Sequence, residues 1–503
     1  MNKAQYVSYG IGSFSFQSHH VLRRLGVLLA CFGIILGISQ SVQAANQPLP
    51  PEWHFDVYPV PRATEWQPGP KILFVGGIHG DESGGHRSAA YALQGSVSRG
   101  DVHIIPYINR QAVIMHRRGV NVDMNRIFGE PKPDLPESAV VRKLSALMQN
   151  YDYILTLHDG SGYYSPTYQN SDRNPMRYGQ SHIIDTEHYS RTKHGDMCLR
   201  CVADDVVSKV NAEIADQNHH FHVNNTKTGE SGTIHVEQRA SLTYYALTKL
   251  GIPAFCSEAS KMLPDLRHRV RYHLKVMQAF VDTVGGELMT PPDDLESIGW
   301  YLEDTKRLEH VEIAINGLAR RVLPWGRLYL LPGDTVEVLG FGNREHHGWT
   351  ADILGVGSNV DTAIPFAVTQ ESRIVIRKEH EVQGEIRLHM TENPTVEFAL
   401  SVDGAPPIKL RQGEVVVMSN TLVIGEALSR SGSTGDIVNF SGYVPPGGSP
   451  IPDDRHYLIT TEELDWRYSV NKRGLLYRVQ GLASDHRTST GEVYIQILDR
   501  HGK

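Results

Sequence analysis

The segment KILFVGGIHGDESGG, residues 71–85, joins an apolar run to a loop that consists largely of glycine. A short, continuous apolar run is typical of a strand that is buried on both faces of a sheet. His79 and Glu82 follow this run, three residues apart, and both are residue types that bind zinc. The glycines around the pair let the backbone turn tightly without a side chain filling the space. The segment therefore predicts a buried strand followed by two metal ligands, although a His-x-x-Glu pair alone is common and needs further support.

Three more apolar runs occur before residue 295, with helical patterns between them. Near-continuous apolar strands separated by helices predict a parallel or mixed sheet that is covered on both faces. In such α/β folds, ligands bind beyond the carboxyl ends of the strands, so polar residues at these ends are expected to meet in one site. The additional strand candidates are DVHIIPYIN (101–109), DYILTLHDG (152–160) and GIPAFCSEA (251–259), and the helix candidates are residues 84–95, 137–151 and 241–251.

Two of these runs end in residues that would complete a metal site. A catalytic zinc centre uses three protein ligands and keeps a further position open for water. His158, near the end of one run, joins His79 and Glu82 as the third candidate ligand of a single Zn²⁺ ion. Glu258, at the end of another run, is the candidate general base, because an apolar setting raises the pKa of a carboxylate toward neutrality. The alternative for Glu258 is a structural ion pair.

Candidate cationic groups lie in and before the segment GVNVDMNRIFG, residues 119–129. Arg126, with Asn125, could hold a substrate carboxylate, since guanidinium groups bind carboxylates in a bidentate fork. Arg117 or Arg118 could stabilise the negative charge that develops on a carbonyl oxygen.

In this order, HGDE, NVDMNR, the strand-end His158 and the strand-end Glu258 resemble the M14-type zinc carboxypeptidases. The resemblance implies that the three candidate ligands hold zinc and that Glu258 is the general base. It also implies that Asn125 and Arg126 bind the terminal carboxylate of the substrate. The spacing favours Arg118 over Arg117 as the residue that polarises the scissile carbonyl.

A narrower resemblance rests on LHDGSGYYSP (157–166), on the SLTYYAL helix and on a β-rich region after residue 300. These features look like those of exported bacterial peptidoglycan DL-carboxypeptidases, which release meso-diaminopimelate from tripeptide stems, leave dipeptides and influence cell shape. Some of those enzymes replace the first zinc ligand by Gln, whereas this chain keeps His79. The substrate-side Tyr of the family has no secure counterpart, because Tyr244 and Tyr245 lie in a predicted helix.

A stem peptide that ends in diaminopimelate is zwitterionic at its far end, so the site also needs an anionic group for the distal ammonium. Asp159, next to His158, is the candidate. The alternatives are that Asp159 orients the zinc-binding histidine from behind, or that it caps a loop.

The N-terminal residues have the order of a secretory signal peptide. Arg23 and Arg24 precede the apolar run LGVLLACFGIILGIS, and small residues follow at SVQAAN. This run is shorter than the roughly 20 residues of a membrane span, so residues 1–45 are predicted to be a signal peptide, with an uncleaved anchor as the alternative. The prediction implies a periplasmic protein without a transmembrane span in the mature chain.

The predicted α/β catalytic domain covers residues 46–298, and its mixed sheet is expected to resemble that of zinc carboxypeptidases. One or two small antiparallel β-domains should follow, at residues 299–377 and 378–503, because helical periods give way to short β-rich runs and turn pairs. These domains are candidates for contact with the cell wall or another protein. The pair Cys198 and Cys201 is predicted to form a local disulfide, with half of a zinc knuckle as the alternative.

The sequence is compatible with three functions. Peptidoglycan stem peptides are the expected substrate, and the formal net charge of −7 without a basic tract argues against nucleic acid. The second candidate is a zinc deacylase of the succinylglutamate desuccinylase or aspartoacylase type, which shares the HG(D/N)E and NR signatures. The third is a non-catalytic peptidoglycan-binding protein.

Overall fold

The computed structural model describes residues 49–343, 347–433, 437–448 and 453–498. The predicted signal peptide, residues 1–45, lies outside this part of the chain. Within it, no helix combines the length and the apolar character that a membrane span requires.

The catalytic region is built on one eight-stranded mixed sheet with the order β1-β3-β2-β4-β7-β5-β6, in which β8 pairs with β3. Strands β2, β3, β4 and β7 run parallel, whereas β1, β5 and β8 pair antiparallel with their neighbours in that group. The predicted α/β fold with a mixed sheet is confirmed. The strands are β1 Tyr58–Pro59, β2 Arg62–Val75, β3 Ser96–Ile105, β4 Tyr153–Gly160, β5 Ser181–Ile184, β6 His222–Asn225, β7 Ala254–Ser260 and β8 Glu287–Met289.

Helices cover both faces of this sheet. One apolar core joins the sheet to α1, α4, α6 and α7, and a second core on the other face includes α3 and α5. The predicted end of α5 is confirmed, since Gly251 has a φ of 67°, a left-handed conformation that favours glycine. The helices are α1 Ser83–Ala92, α2 Arg110–Met115, α3 Pro136–Met148, α4 Leu199–Ala212, α5 Leu242–Leu250, α6 Leu266–Thr283 and α7 Leu295–Asp304.

Beyond α7 the described chain forms four four-stranded sheets, in two pairs that each enclose an apolar core. The pairing is antiparallel except between β11 and β16 and between β19 and β24. The first pair of sheets contains β9 Val311–Ile315, β10 Leu318–Val322, β11 Arg327–Leu330, β12 Asp334–Phe341, β13 Trp349–Ile353, β14 Phe366–Val368, β15 Ser372–Lys378 and β16 Glu381–Met390. The second contains β17 Thr395–Val402, β18 Ile408–Arg411, β19 Val415–Met418, β20 Thr421–Ser429, β21 Ile437–Phe440, β22 Leu458–Thr460, β23 Leu476–Leu482 and β24 Ser489–Ile497.

The domain boundaries stay predictions. The predicted boundary between residues 377 and 378 falls within a β-hairpin. Position 378 is the end of β15, which forms a hairpin with β16 and shares the first β-rich core with it. In the structure the change from one pair of sheets to the next comes after Met390.

The turn of this hairpin docks on the catalytic region. Its buried residue Glu379 accepts hydrogen bonds from Arg87 Nε at 2.8 Å and from Tyr107 Oη at 3.0 Å, and His86 Nε2 lies 3.3 Å from the same carboxylate. Glu381, on the same hairpin, accepts from Arg87 at 3.0 Å. We call these five residues the Glu379 cluster. It joins the first β-rich unit to α1, the helix that follows the predicted metal-binding loop.

The predicted pairing of Cys198 with Cys201 is present as a disulfide at the start of α4. The sulfur of Cys198 also accepts a hydrogen bond from the backbone N–H of Cys201 and so caps the helix. The third described cysteine, Cys256, is free and buried.

Candidate metal centre and substrate cleft

Three of the predicted side chains converge on one point at the carboxyl ends of β2 and β4. His79 Nδ1 lies 2.9 Å from Glu82 Oε1, His158 Nδ1 lies 2.8 Å from Glu82 Oε2, and the two Nδ1 atoms are 3.1 Å apart. Ligand atoms of a tetrahedral zinc ion, with bonds of about 2.1 Å, are separated by roughly 3.4 Å. The three residues are buried and are the one group in the described chain whose donor atoms could hold a metal ion.

The local sequence explains how these ligands come together. His79 and Glu82 occupy the loop between β2 and α1, and Glu82 is the residue that begins the helix. A β-carbon on Gly84 would clash with the carboxylate of Asp159, and one on Gly85 would clash with the carbonyl of Leu157. The glycines after the ligand pair are therefore needed mainly because α1 approaches β4 closely, and less because they leave room for the metal.

The charges of the three ligands are strongly linked. Burial alone would lower the pKa of His79, but Glu82 and Asp123 outweigh it and raise that pKa to about 9. Burial would raise the pKa of Glu82, yet the two histidines hold it well below its usual value. Burial lowers the pKa of His158, against the attraction of Glu82. Glu82 is therefore ionised, as a metal ligand must be, whereas His79 has to release a proton when a dication binds.

Two aspartates support the ligands from outside. Asp123 Oδ1 lies 3.0 Å from His79 Nε2, the arrangement by which a carboxylate fixes the ring of a metal-binding histidine. Asp159 is buried, and its carboxylate accepts from the backbone N–H of Gly84 and from Arg269, with His273 Nε2 at 3.3 Å. Since three donors already surround Asp159, the structure favours a structural role that is closest to the loop-capping alternative, in which Asp159 holds the start of α1 against β4.

Glu258 lies beside the ligands. It is aligned with His158 in the pairing of β7 with β4, so the two side chains stand next to each other at the end of the sheet. Burial raises the pKa of the Glu258 carboxyl well above its usual value, and the nearby Glu82 adds to the effect. A carboxylate with a raised pKa is a stronger proton acceptor near neutral pH, as a general base requires.

The predicted cationic residues line the same cleft. Arg118 Nη1 donates to Glu82 Oε1 at 3.2 Å, and Arg118 Nε donates to Asp123 at 3.0 Å. Arg126 and Asn125 lie in a short 3₁₀ turn, Met124–Arg126, and both face the cleft. The side-chain oxygen of Asn125 accepts a hydrogen bond from the backbone N–H of Leu242. The side-chain N–H₂ group of Asn125 therefore points away from Leu242. Arg118 lines the cleft and Arg117 does not, which agrees with the choice of Arg118 as the residue that polarises the scissile carbonyl.

The cleft has a volume of about 380 Å³ and contains residues that the sequence analysis did not select. Tyr178 lines one wall of the cleft, where its Oη lies 3.1 Å from His235 Nδ1. Neither Tyr244 nor Tyr245 is among the residues that line the cleft. Tyr245 packs on the core beside Phe128, as its helical pattern suggests. Several of the other lining residues lie in the long insertion between β4 and α5, and these are Ser161, Ile183, Asp185, Glu237 and Gln238.

A mixed α/β sheet with a His₂Glu cluster, an adjacent carboxylate and arginines around one cleft is the arrangement expected of a metallo-carboxypeptidase. Residues 59–293 match the family model described as the catalytic domain of a carboxypeptidase controlling helical cell shape. The catalytic region of this chain therefore matches that peptidase family, and the resemblance to cell-shape carboxypeptidases is confirmed. The chain is a metallo-carboxypeptidase, which also decides against the deacylase and the non-catalytic alternatives.

Solved structures agree with this assignment at the level of the fold. The apo structure of the cell shape determinant Csd4 from Helicobacter pylori is 22% identical, with a TM-score of 0.64 over 88% of this chain and 100% of that chain. A tripeptide-bound form of Csd4 gives 21% identity, a TM-score of 0.64 and the same coverage. A form bound to mDAP, described as a D,L-carboxypeptidase, gives 22% identity and a TM-score of 0.62 over 85% of this chain and 96% of that chain. The coverage extends beyond the catalytic region to the β-rich sheets. No curated protein matches the chain.

Proposed function

We propose that the protein is a zinc-dependent DL-carboxypeptidase that removes meso-diaminopimelate from peptidoglycan tripeptide stems and leaves dipeptides. The observation that carries the proposal is the convergence of His79, Glu82 and His158 in one cleft with Glu258 and Arg126. A fold shared with a D,L-carboxypeptidase that has been solved with a tripeptide and with mDAP supports the choice of substrate.

Zinc suits the donor set, because two imidazoles and one carboxylate are a common catalytic zinc triad. When bound there, zinc supplies a Lewis acid that polarises a carbonyl and lowers the pKa of a water molecule. Metal analysis of the purified protein tests this choice directly. One zinc per chain is expected, and a stoichiometric content of a different metal would contradict it.

The residues around the metal divide the remaining tasks. Arg126 and the side-chain N–H₂ group of Asn125 hold the terminal carboxylate of the substrate. Arg118 donates a hydrogen bond to the scissile carbonyl oxygen as negative charge develops on it. Glu258 accepts the proton of the attacking water and then delivers it to the nitrogen of the departing amino acid. The wall formed by Tyr178 helps to exclude bulk water from these steps.

Export to the periplasm is part of the proposal, since peptidoglycan lies outside the cytoplasm. The signal-peptide pattern of residues 1–45 and the disulfide between Cys198 and Cys201 both support an oxidising, exported location. The β-rich units provide surfaces for contact with the cell wall or another protein.

A digest of purified muropeptides tests the reaction. The protein is incubated with tripeptide, tetrapeptide and pentapeptide muropeptides, and the products are identified by mass spectrometry. We expect tripeptides to become dipeptides with release of diaminopimelate, and expect a chelator to stop the reaction until zinc is added back. If every stem peptide stayed intact with the metal bound, the proposed function would be wrong.

A further inference from the structure

Asp185 is a buried acid in the cleft that no step of the proposed mechanism uses. It directly follows β5, it is 4% exposed, and its neighbours in the cleft include Thr243 and Cys256. The hydroxyl of Thr228 donates to Asp185 Oδ1 at 2.5 Å, and the Thr243 hydroxyl is a second donor.

These partners are neutral. Within the described residues, no Lys, Arg or His forms an ion pair with Asp185, whereas the equally buried Asp159 has both Arg269 and His273 beside it. Burial raises the pKa of Asp185 to about 6, against the two hydroxyl donors. A buried carboxylate without a cation is costly, so such groups are usually paired by a second charged group or a ligand. In this cleft the missing cation can come from the substrate.

The position of Asp185 fits that role. In the pairing of β5 with β7, Ser181 lies opposite Glu258 and Ile183 lies opposite Cys256. Because side chains alternate along extended chain, residues 181, 183 and 185 point to one face of the sheet. Asp185 lies four residues after Ser181, and four residues of extended chain span at most about 13 Å. Because Ser181 is opposite Glu258, Asp185 and Glu258 stand at opposite ends of one cleft floor. A long side chain that starts near Glu258 can run over Ile183 and Cys256 toward Asp185.

Resting on the proposed carboxypeptidase function, we propose that Asp185 is the specificity-determining residue that binds the distal ammonium of the departing amino acid. The site therefore selects a C-terminal residue with a long side chain that carries a distal ammonium group. Arg126 and Asn125, which line the same cleft, bind the terminal carboxylate next to the scissile bond of the same residue. Asp185 takes over the role that the sequence analysis assigned to Asp159.

Two substrates that differ in one group test the proposal. The first is the tripeptide that ends in meso-diaminopimelate, and the second carries 2-aminopimelate, which has hydrogen in place of the distal ammonium. We expect the wild-type protein to favour the first substrate by roughly 10- to 100-fold in kcat/KM, the size of one charge-assisted hydrogen bond. Asp185→Asn keeps an acceptor for Thr228 and should remove that preference, mostly through KM, while turnover of the second substrate continues.

Glu237, an exposed acid at the rim of the cleft, supplies the matched comparison. If Glu237→Gln removed the preference and Asp185→Asn kept it, the assignment to Asp185 would be overturned. Calorimetric titration of the zinc-loaded wild-type protein with free diaminopimelate and free 2-aminopimelate asks the same question without turnover and without a variant. Equal affinity for the two amino acids would overturn the proposal. Failure to cleave either tripeptide would instead refute the proposed function, and the same titration of Asp185→Asn beside the wild type would still decide whether Asp185 binds the ammonium group.

Discussion

Replacing Glu379 by glutamine should weaken the contact between the catalytic region and the first β-rich unit. The Glu379 carboxylate is 1% exposed and lies next to Arg87, Tyr107 and His86 at 2.8 to 3.3 Å. Burial would raise its pKa, but Arg87 and His86 hold that pKa well below the usual value. The group is therefore ionised in the folded protein at neutral pH. The glutamine side chain would keep one acceptor oxygen and place an N–H₂ group near a guanidinium.

The magnitude follows from these contacts. Removing one partner of a buried ion pair costs about 3–5 kcal/mol, because the other charge stays buried without compensation. Arg87 would retain Glu381 at 3.0 Å, on a carboxylate that is one-third exposed. This remaining contact and the retained acceptor reduce the expected loss to about 2–4 kcal/mol in the free energy of unfolding. The pKa of Glu379 is depressed in the folded protein, so the loss of stability in Glu379→Gln should have its full size above the ordinary pKa of Glu. The loss should become smaller as the pH falls below about 4.

The assay is urea unfolding of a double-mutant cycle made from Glu379→Gln, Arg87→Met and the double variant. The double variant should be less destabilised than the sum of the single variants, by about 2 kcal/mol, because it removes both charges of one pair. Glu385→Gln, on strand β16 and 25% exposed at its side chain, is the matched control. We expect it to change stability by less than about 0.5 kcal/mol. A loss below about 1 kcal/mol in Glu379→Gln, or additive single effects, would refute the reasoning.

Four further changes test other parts of the structure. Glu258→Ala should bind zinc in metal analysis but lose about 10²–10⁴-fold in kcat, and retained activity would refute its role as base. His158→Ala should lose the metal on dialysis, so a stoichiometric metal content would show that it is not a ligand. Because burial raises the pKa of Asp185 from 3.8 to about 6 in the folded protein, wild-type stability falls as the pH rises from about 4 to about 6 and is then constant. The stability of Asp185→Asn relative to wild type, from thermal unfolding, should thus rise by about 2.5 kcal/mol between pH 4 and pH 8, and a constant difference would contradict this. Replacing Cys198 and Cys201 by Ser should cost only about 1 kcal/mol, because a serine cap at the start of α4 offsets part of the roughly 2 kcal/mol for so short a loop. A loss of zinc or turnover in that variant would show that the disulfide has more than a local role.

The catalytic sheet was predictable because its strands carry a strong local signal. Four apolar runs correspond to β2, β3, β4 and β7, and three helical patterns correspond to α1, α3 and α5. The positions of His158 and Glu258 at strand ends were enough to predict that they meet, since the carboxyl ends of parallel strands share one edge. The pairing of the two residues in β4 and β7 agrees with this expectation.

The cleft wall was not predictable in the same way. Asp185, Tyr178 and Glu237 come from the insertion between β4 and α5, where short strands and irregular segments alternate. β5 pairs antiparallel with β7, whereas β7 and β4 pair parallel, and the four residues of β5 carry no distinct pattern. Only the tertiary arrangement brings these residues to the metal. A signal for Asp185 existed in the sequence HIID, where an acid ends a short apolar run, but its partners Thr228 and Thr243 lie far along the chain.

Asp159 and Asp185 show why local sequence could not separate structural from substrate-binding acids. Both aspartates are buried, and both end or follow a strand of the same sheet. Asp159 stands next to a metal ligand, which made it the natural candidate for the substrate ammonium. Its charge is balanced within the protein by Arg269, so a substrate cation would gain little from it. Asp185 is surrounded by hydroxyl groups and has its charge unbalanced, so it gains most when a cation arrives. Charge balance in the folded structure, and not closeness to the metal in the sequence, therefore decides which acid recognises the substrate.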